Sequence, residues 1–379
     1  MIKKNIKYFI YSLTVLLIIV GYLSYFGVET KKFNSLVKDT FTSKKNVNID
    51  IRTIKILLNL KNLSLNLKTK NPEISFEGRK IKLESIKTNL SISSLFKKNF
   101  SIKKLEISTK EVEIKDIIFF LKIYKNSPQL FILKNILKDG YLVADIKLNF
   151  DKNGKILDNY EVKGFVKKIE LRLLNKKSIH NLNFNFKIKN KEYFFTDLVL
   201  KFDELNIFSK LIKIKDTPKT YLVEGDIDTK ESEIKPNLLM DLFQKDLNNL
   251  KIENLNFASS NKFSFKLDKN IKIRDLKVNS KIKLNNLDYR ANLPIIKIFL
   301  TKFDNKIIFK QHIIEIIFDK KKISLSGEGQ LSVDNKNDLI KYKIIKDQDN
   351  YNFDIKTLLK ENLFVVDFLR YEKKENIKS

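Results

Sequence analysis

Residues 54–68 read IKILLNLKNLSLNLK, and their period decides the fold. Ile54, Ile56, Leu58 and Leu60 stand against Lys55, Asn59 and Lys61, and Leu63, Leu65 and Leu67 then alternate with Ser64, Asn66 and Lys68. Successive side chains of a strand point to opposite faces, so a period of two predicts strands with one apolar and one wet face. The alternation returns at Phe100-Ile102, Leu105-Ile107, Ile169-Leu171-Leu173, Leu182-Phe184-Phe186-Ile188, Leu198-Leu200-Phe202, Phe263-Phe265-Leu267 and Tyr351-Phe353-Ile355. Between Phe150 and Ile156, Asp151-Lys152-Asn153-Gly154 reads as a tight hairpin loop, with Gly154 free to take a positive φ. The expectation is a mainly β chain built on a long antiparallel sheet.

A second pattern is superimposed on the first: apolar, two polar, apolar, polar, apolar. It occurs at Ile102–Ile107, Ile179–Phe184, Ile252–Phe257, Ile273–Val278 and Leu284–Tyr289. Two consecutive polar residues would send the next apolar side chain to the wrong face of a flat strand. Each pair therefore predicts a bulge, bend or short turn that restores the phase, and a sheet that curves.

Upstream, Tyr8–Val28 (YFIYSLTVLLIIVGYLSYFGV) carries no charge. As a helix it would be roughly 31 Å long, matching the roughly 30 Å hydrocarbon core of a bilayer. Tyr8 and Tyr11 near one end, and Tyr22 and Tyr25 near the other, suit the headgroup level; Leu16 and Ile19 fall in the middle and Val28 closes the run. The stretch is longer than a secretory signal core and lacks a small-residue cleavage pattern, and it has no polar face of the kind a soluble helix carries. Lysines flank both sides, so charge does not orient it; the short N-terminal tail favours export of the rest. Phe33, Leu36, Val37 and Phe41 have near-helical spacing and predict that the helix continues as a stem. Further helices are expected at Lys115–Tyr124, with Asp116 as cap, and at Ser127–Leu137, with Ser127-Pro128 at its start and Asp139-Gly140 as its stop. Another is expected at 236–247, behind Pro236. Such helices would plug an end or cover an edge of the sheet.

The formal charge of +29 raises the question of a polyanion partner, but only six of the 74 basic residues are arginine. Bidentate recognition of phosphates and bases recruits arginine, so a solvated lysine-rich face is the better reading, with weak attraction to anionic lipid headgroups and no specific nucleic acid. With no cysteine, disulfides, thiolate metal sites and a lipidated Cys anchor are excluded. His180 and His312 are far apart in sequence, and His180 sits in the polar pair of a strand repeat. No nucleophile elbow, phosphate loop or dinucleotide fingerprint is present. Ser326-Gly327-Glu328-Gly329-Gln330 lies between strand-like runs and reads as a bend in the sheet, while Glu111 and Glu113 read as surface. No catalytic residue, metal site or cofactor is expected.

The apolar face must meet something: a second sheet, itself in a closed barrel, or, in a partly open sheet, acyl chains. The order of features resembles the AsmA-like proteins, relatives of the TamB and YhdP proteins of Gram-negative envelopes. The likeness is carried by the anchor, Leu63-Ser64-Leu65-Asn66-Leu67, Asn71-Pro72-Glu73-Ile74, Lys80-Ile81-Lys82-Leu83, Leu90-Ser91-Ile92, Leu95-Phe96, Ile102–Ile107 and Val112-Glu113-Ile114. Phe150–Gly154 and Tyr160–Gly164 resemble the following segment of the YhdP-like branch. The resemblance implies a cytoplasmic tail and inner-membrane anchor over 1–28, a stem over 29–53, and a periplasmic β-groove domain over 54–379 with helical insertions near 115–137 and 236–247. It further implies phospholipid acyl chains along an apolar groove, moved toward the outer membrane. The residues expected on that face are Leu58, Leu60, Leu63, Leu65, Leu67, Ile102, Leu105, Ile107, Leu182, Phe184, Phe186, Phe263 and Phe265. Family members are commonly much longer. About 20 strands at roughly 4.8 Å would run near 95 Å, so either a partner in the periplasm or outer membrane completes the path or the chain is a truncated member. Rival expectations are a non-catalytic scaffold that assists outer-membrane protein assembly through strand edges, and a polyanion-binding module.

Overall fold

The computed structural model describes residues 2–31, 34, 48–92, 102–124, 127–151, 155–173, 177–234, 251–290, 294–300, 303–333, 336–366 and 369–374. The chain is mainly β: 20 strands form one open antiparallel sheet, with short helices and an N-terminal apolar helix. It divides into two compact units, residues 1–174 with 183–193, and residues 175–182 with 194–379.

In the first unit, helix α1 (Ile2–Tyr25) contains a 20-residue stretch, Ile6–Tyr25, that is long and apolar enough to cross a membrane and holds no buried residue. The helix stops before the apolar run does. Gly27 takes φ +70°, and Val28–Thr30 forms strand β1, paired with Ile54–Ile56. A Cβ on Gly27 would collide with the carbonyl oxygen of Ile56, so the close approach as well as the dihedral calls for glycine. Val28 is therefore a strand residue, and over Val28–Thr30 pairing with the sheet takes the place of a continuing helix; Phe33, Leu36, Val37 and Phe41, on which the expected stem rests, lie outside the described residues.

Strands β2 (Asn48–Asp50), β3 (Ile54–Asn59), β4 (Ser64–Thr69), β5 (Glu73–Phe76), β6 (Arg79–Ser91) and β7 (Ile102–Thr109) follow. After β8 (Val112–Glu113) come α2 (Ile114–Tyr124) and α3 (Pro128–Ile136), then β9 (Leu137–Asn149) and β10 (Glu161–Arg172). Strands β3, β4, β6, β7, β9 and β10 pair in that order, all antiparallel. The expected hairpin closes β9: Phe150 bridges Ile156, and the Asp151 carboxylate accepts the Lys155 N–H at 2.9 Å.

Both helices in this unit were legible, with changes at their ends. Ser127 caps α3 as expected, its Oγ accepting the Leu130 N–H. Helix α2 begins two residues before Asp116, whose carboxylate binds Arg79 Nη1 at 2.7 Å instead of capping. Asp139-Gly140 does not stop α3; the helix ends at Ile136 and both residues lie inside β9, where Gly140 at φ +145° makes room for Ile169 and Ile114. The helix expected at 236–247 lies outside the described residues.

Strands β11 (Ser178–Lys189) and β12 (Glu192–Phe202) contribute to both units. The second unit continues with β13 (Leu205–Asp216), β14 (Thr220–Ile234), β15 (Lys251–Asp268) and β16 (Ile273–Arg290). Helix α4 (Pro294–Phe299) comes next, then β17 (Lys306–Asp319), β18 (Lys322–Val333), β19 (Lys336–Asp347) and β20 (Asn350–Leu358). From β13 to β20 each strand pairs antiparallel with the next, and β21 (Phe364–Val366) with β22 (Tyr371–Lys373) forms a separate ribbon.

The polar pairs are where the ladder slips. At Ile102–Ile107, Ile102 faces Leu90 but Leu105 faces Thr88, so β7 holds one extra residue. The same count gives an extra residue between Ile252 and Asn254, between Arg274 and Lys277, and between Leu284 and Asn286. In the fifth copy Asn181 takes φ +52°. The bulges keep the apolar side chains on one face, as the phase argument requires.

Candidate functional site

The first unit presents a continuous apolar face, traced by cross-strand partners. Val28 opposes Ile56, Ile56 opposes Leu67, and Leu58 opposes Leu65. Leu65 then meets Leu90; Ile86 and Leu90 meet Ile107 and Ile102; Leu105 and Ile107 meet Leu148 and Ile146; and Ile146 meets Val162. Directly opposed residues share a face, so Leu58, Leu65, Leu67, Ile102, Leu105 and Ile107 fall on one surface, all half-buried. Phe186 joins them, for its Cζ would sit 3.0 Å from a Cβ on Gly164, which opposes Ala144 on that face. Leu182, Phe184 and Phe186 alternate along the same side of β11.

Leu60 and Leu63 belong elsewhere. They fall in the turn that joins β3 to β4, with Leu63 at φ +43°, and are 51% and 66% exposed. The residue count stays in phase through the turn, but the chain reverses there, so spacing alone could not separate them from the strand positions.

In the second unit the face runs through Ile212 and Ile214, Val223, Phe263 and Phe265, Val278 and Phe318. It continues through Ile316, Leu325 and Ile344 to Phe353. The Phe263 and Phe265 rings stack with centroids 5.9 Å apart. A polar band crosses it: Thr229 and Ser259 hydroxyls lie 3.0 Å apart, Asn261 donates to the Ile227 carbonyl at 2.7 Å, and Ser280, opposite Asn261, is buried.

One end of each face is covered. In the first unit, Phe120 of α2 packs among Ile81, Leu83, Ile86 and Val112, with Ile107 and Phe119 against the cluster. In the second, Phe303 packs with Ile307 and Val333. Away from these ends most of the apolar side chains are half-buried, chiefly by their neighbours in the sheet, and at the β20 edge Phe353 is 60% exposed.

The lysines alternate onto the opposite face, beside carboxylates: Lys104 with Glu106 at 2.6 Å, Lys277 with Asp319 at 3.1 Å, Lys281 with Glu315 at 3.2 Å. A shallow hollow of about 400 Å³ on that side is edged by Glu315, Glu328, Lys341 and Lys356, walls that suit water. Exposed pairs of this kind add little stability. Among the described residues no three His, Asp or Glu side chains converge on a metal-sized space.

His312, not His180, is the structurally distinctive histidine. His180 is exposed, whereas His312 has no exposed surface. It sits at a bulge in β17, opposite Gly329: Lys310 faces Gln330 and Ile313 faces Glu328. Its Nε2 lies 3.0 Å from the Gln330 carbonyl and therefore carries the proton, leaving Nδ1 to accept from the Tyr342 hydroxyl at 3.3 Å. Burial pushes the imidazole below its ordinary value and the Tyr342 phenol above its own. The glycines of Ser326–Gln330 are thereby explained. A Cβ on Gly329 would strike the His312 ring, and one on Gly327 the Tyr342 ring, while β18 pairs with β19 without a slip. The bend expected in this segment lies in its neighbour, β17.

Comparison with family models, with curated proteins and with solved structures gives no match.

Proposed function

We propose that this chain is an AsmA-like protein of the inner membrane that binds phospholipid acyl chains along its sheet in the periplasm and conducts them between envelope membranes, with no covalent step. The observation that carries the reading is the apolar face, kept in phase by bulges and covered only at an end of each unit among the described residues. A face of this kind favours acyl chains, since each methylene taken from water is worth about 0.8 kcal/mol. Residues Ile6–Tyr25 supply the anchor, and the resemblance supplies the compartment. The full chain purified in mild conditions should carry phospholipid detectable by mass spectrometry. Leu65→Asp or Phe184→Asp should remove it while the β signal in circular dichroism persists. Well-folded protein that neither carries nor takes up lipid sinks the proposal.

One observation favours a second reading, the scaffold. Strand β20 exposes all nine of its residues and, among the described residues, has its ladder partners on β19 alone. A long uncovered edge without proline or bulge is a template for another strand. Crosslinks from Asn352 or Asp354 to an outer-membrane assembly component, in protein devoid of lipid, would select this reading.

A further inference from the structure

At the covered end of the first unit's face, a cavity of about 370 Å³ opens beside α2 and α3. Its floor is apolar, from Ile118, Phe119 and Leu137, and its rim carries Arg79, Lys115, Lys122 and Lys134, with no carboxylate in the lining. Among the described residues one carboxylate, Asp116, pairs with this rim; it is held by Arg79, whose guanidinium also lies 4.5 Å from the centre of the Phe119 ring. Lys122 stands 5.7 Å from the Phe131 ring. This basic rim differs from the lysines of the strands, which alternate with carboxylates on the wet face. Next to it, α2 and α3 expose Leu121, Phe131 and Ile132, each about half or more accessible. Apolar side chains exposed on a helix beside unneutralised cations are the pattern of a surface that meets a lipid interface.

We propose that this cavity is a headgroup site selective for anionic phospholipid, the phosphate held by Lys115, Lys122 and Lys134 beside the Arg79–Asp116 pair and the chains led over Phe119 toward the face beneath α2. The selectivity follows from charge: a zwitterionic headgroup brings its own cation to a rim that already holds three uncompensated lysines, whereas phosphatidylglycerol brings a net negative charge. The inference rests on the conduit reading only for the path of the chains.

Its test uses the full chain in a neutral detergent with three probes: dihexanoyl phosphatidylglycerol, dihexanoyl phosphatidylcholine and inorganic phosphate. Phosphatidylglycerol should bind about tenfold tighter than phosphatidylcholine, a preference that should collapse in K115A/K122A/K134A. It should survive in the corresponding triple arginine variant. The single change K134A, at an exposed position, should weaken binding several-fold without touching the core. Equal binding of the two phospholipids, a preference that outlives the triple alanine change, or inorganic phosphate that competes at equal concentration overturns the site. The conduit reading has its own readout, the amount of phospholipid carried from the cell. Lipid-laden protein with no headgroup preference defeats the site alone, and lipid-free protein that still selects phosphatidylglycerol defeats the conduit alone.

Discussion

The two units solve the same problem, an apolar sheet face in water, with different amounts of cover. In the first, α2 lies on the face, and most of the buried apolar side chains among the described residues, Ile54, Leu83, Ile118 and Phe120 for example, belong to this unit. In the second, the buried clusters are small, Leu205 with Ile234 and Phe303 with Ile307 and Val333, and the middle of the face stays half-open and is crossed by hydroxyls and an amide. A helix on a sheet makes a two-layer core, whereas a bare sheet leaves its apolar side chains with neighbours on one side only. The first unit's face thus has a second layer where α2 lies, and the middle of the second's has none among the described residues.

The sharpest way to break that contrast is to truncate one side chain in each. Leu83 is 2% exposed and packed beneath α2, so Leu83→Ala should cost about 3–5 kcal/mol in chemical denaturation. Phe265 is larger but half-buried, and Phe265→Ala should cost only about 1–2 kcal/mol. Equal losses would mean that the second face is as well covered as the first.

How much of this was legible depends on the range of the contacts. Period two named the strands, and the doubled polar residues named the bulges, because both are consequences of alternation along a single strand. Leu58, Leu65, Leu67, Ile102, Leu105 and Ile107 were placed on one face for the same reason. Val28 was not, since hydropathy continues through it and only the approach of Gly27 to Ile56 ends the helix. Nor was the rim of the cavity, assembled from residue 79 of a strand, 115 and 122 of one helix and 134 of another. His312 could not be ranked above His180 because its burial is created by glycines on β18 and a tyrosine on β19. Scarcity is the one sequence feature that marks any of these residues: Arg79 is one of only six arginines, yet it lies 35 residues before the first of the two helices beside the cavity.

His312 gives the next test, because it ties pH to the second unit only. The folded imidazole has a lowered affinity for protons, while the unfolded one titrates at its ordinary value, about 6.5. Above that value neither state binds the proton and the full stability is present. Below it the unfolded chain takes up a proton that the folded chain refuses, so stability falls as pH drops from about 6.5 toward the depressed folded value, by at most about 1.4 kcal/mol per pH unit. Denaturation curves between pH 7.5 and 5 should show this slope, and His312→Gln should flatten it in that window while leaving the first unit's transition in place. A slope that persists in the variant would assign it to other groups.

The smallest expected effect asks whether the two units, so different in cover, share a device for their bulges. A bulge leaves N–H groups without ladder partners, and each must find an acceptor. In β10 the Lys168 N–H donates to Asn183 Oδ1 at 2.9 Å; in β13 the Lys210 and Leu211 N–H groups donate to the two oxygens of Asp226 at 2.9 and 3.0 Å. All three bonds are exposed, so water can replace the lost acceptor, and Asn183→Ala and Asp226→Ala should each cost only about 1 kcal/mol. Amide hydrogen exchange is the finer measure. Exchange should quicken at Lys168 in the first variant and at Lys210 and Leu211 in the second, with distant amides unchanged. If Asp226→Ala instead speeds exchange across β13 and β14 while Asn183→Ala stays local, the uncovered face depends on its bulge caps for rigidity in a way the helix-covered face does not.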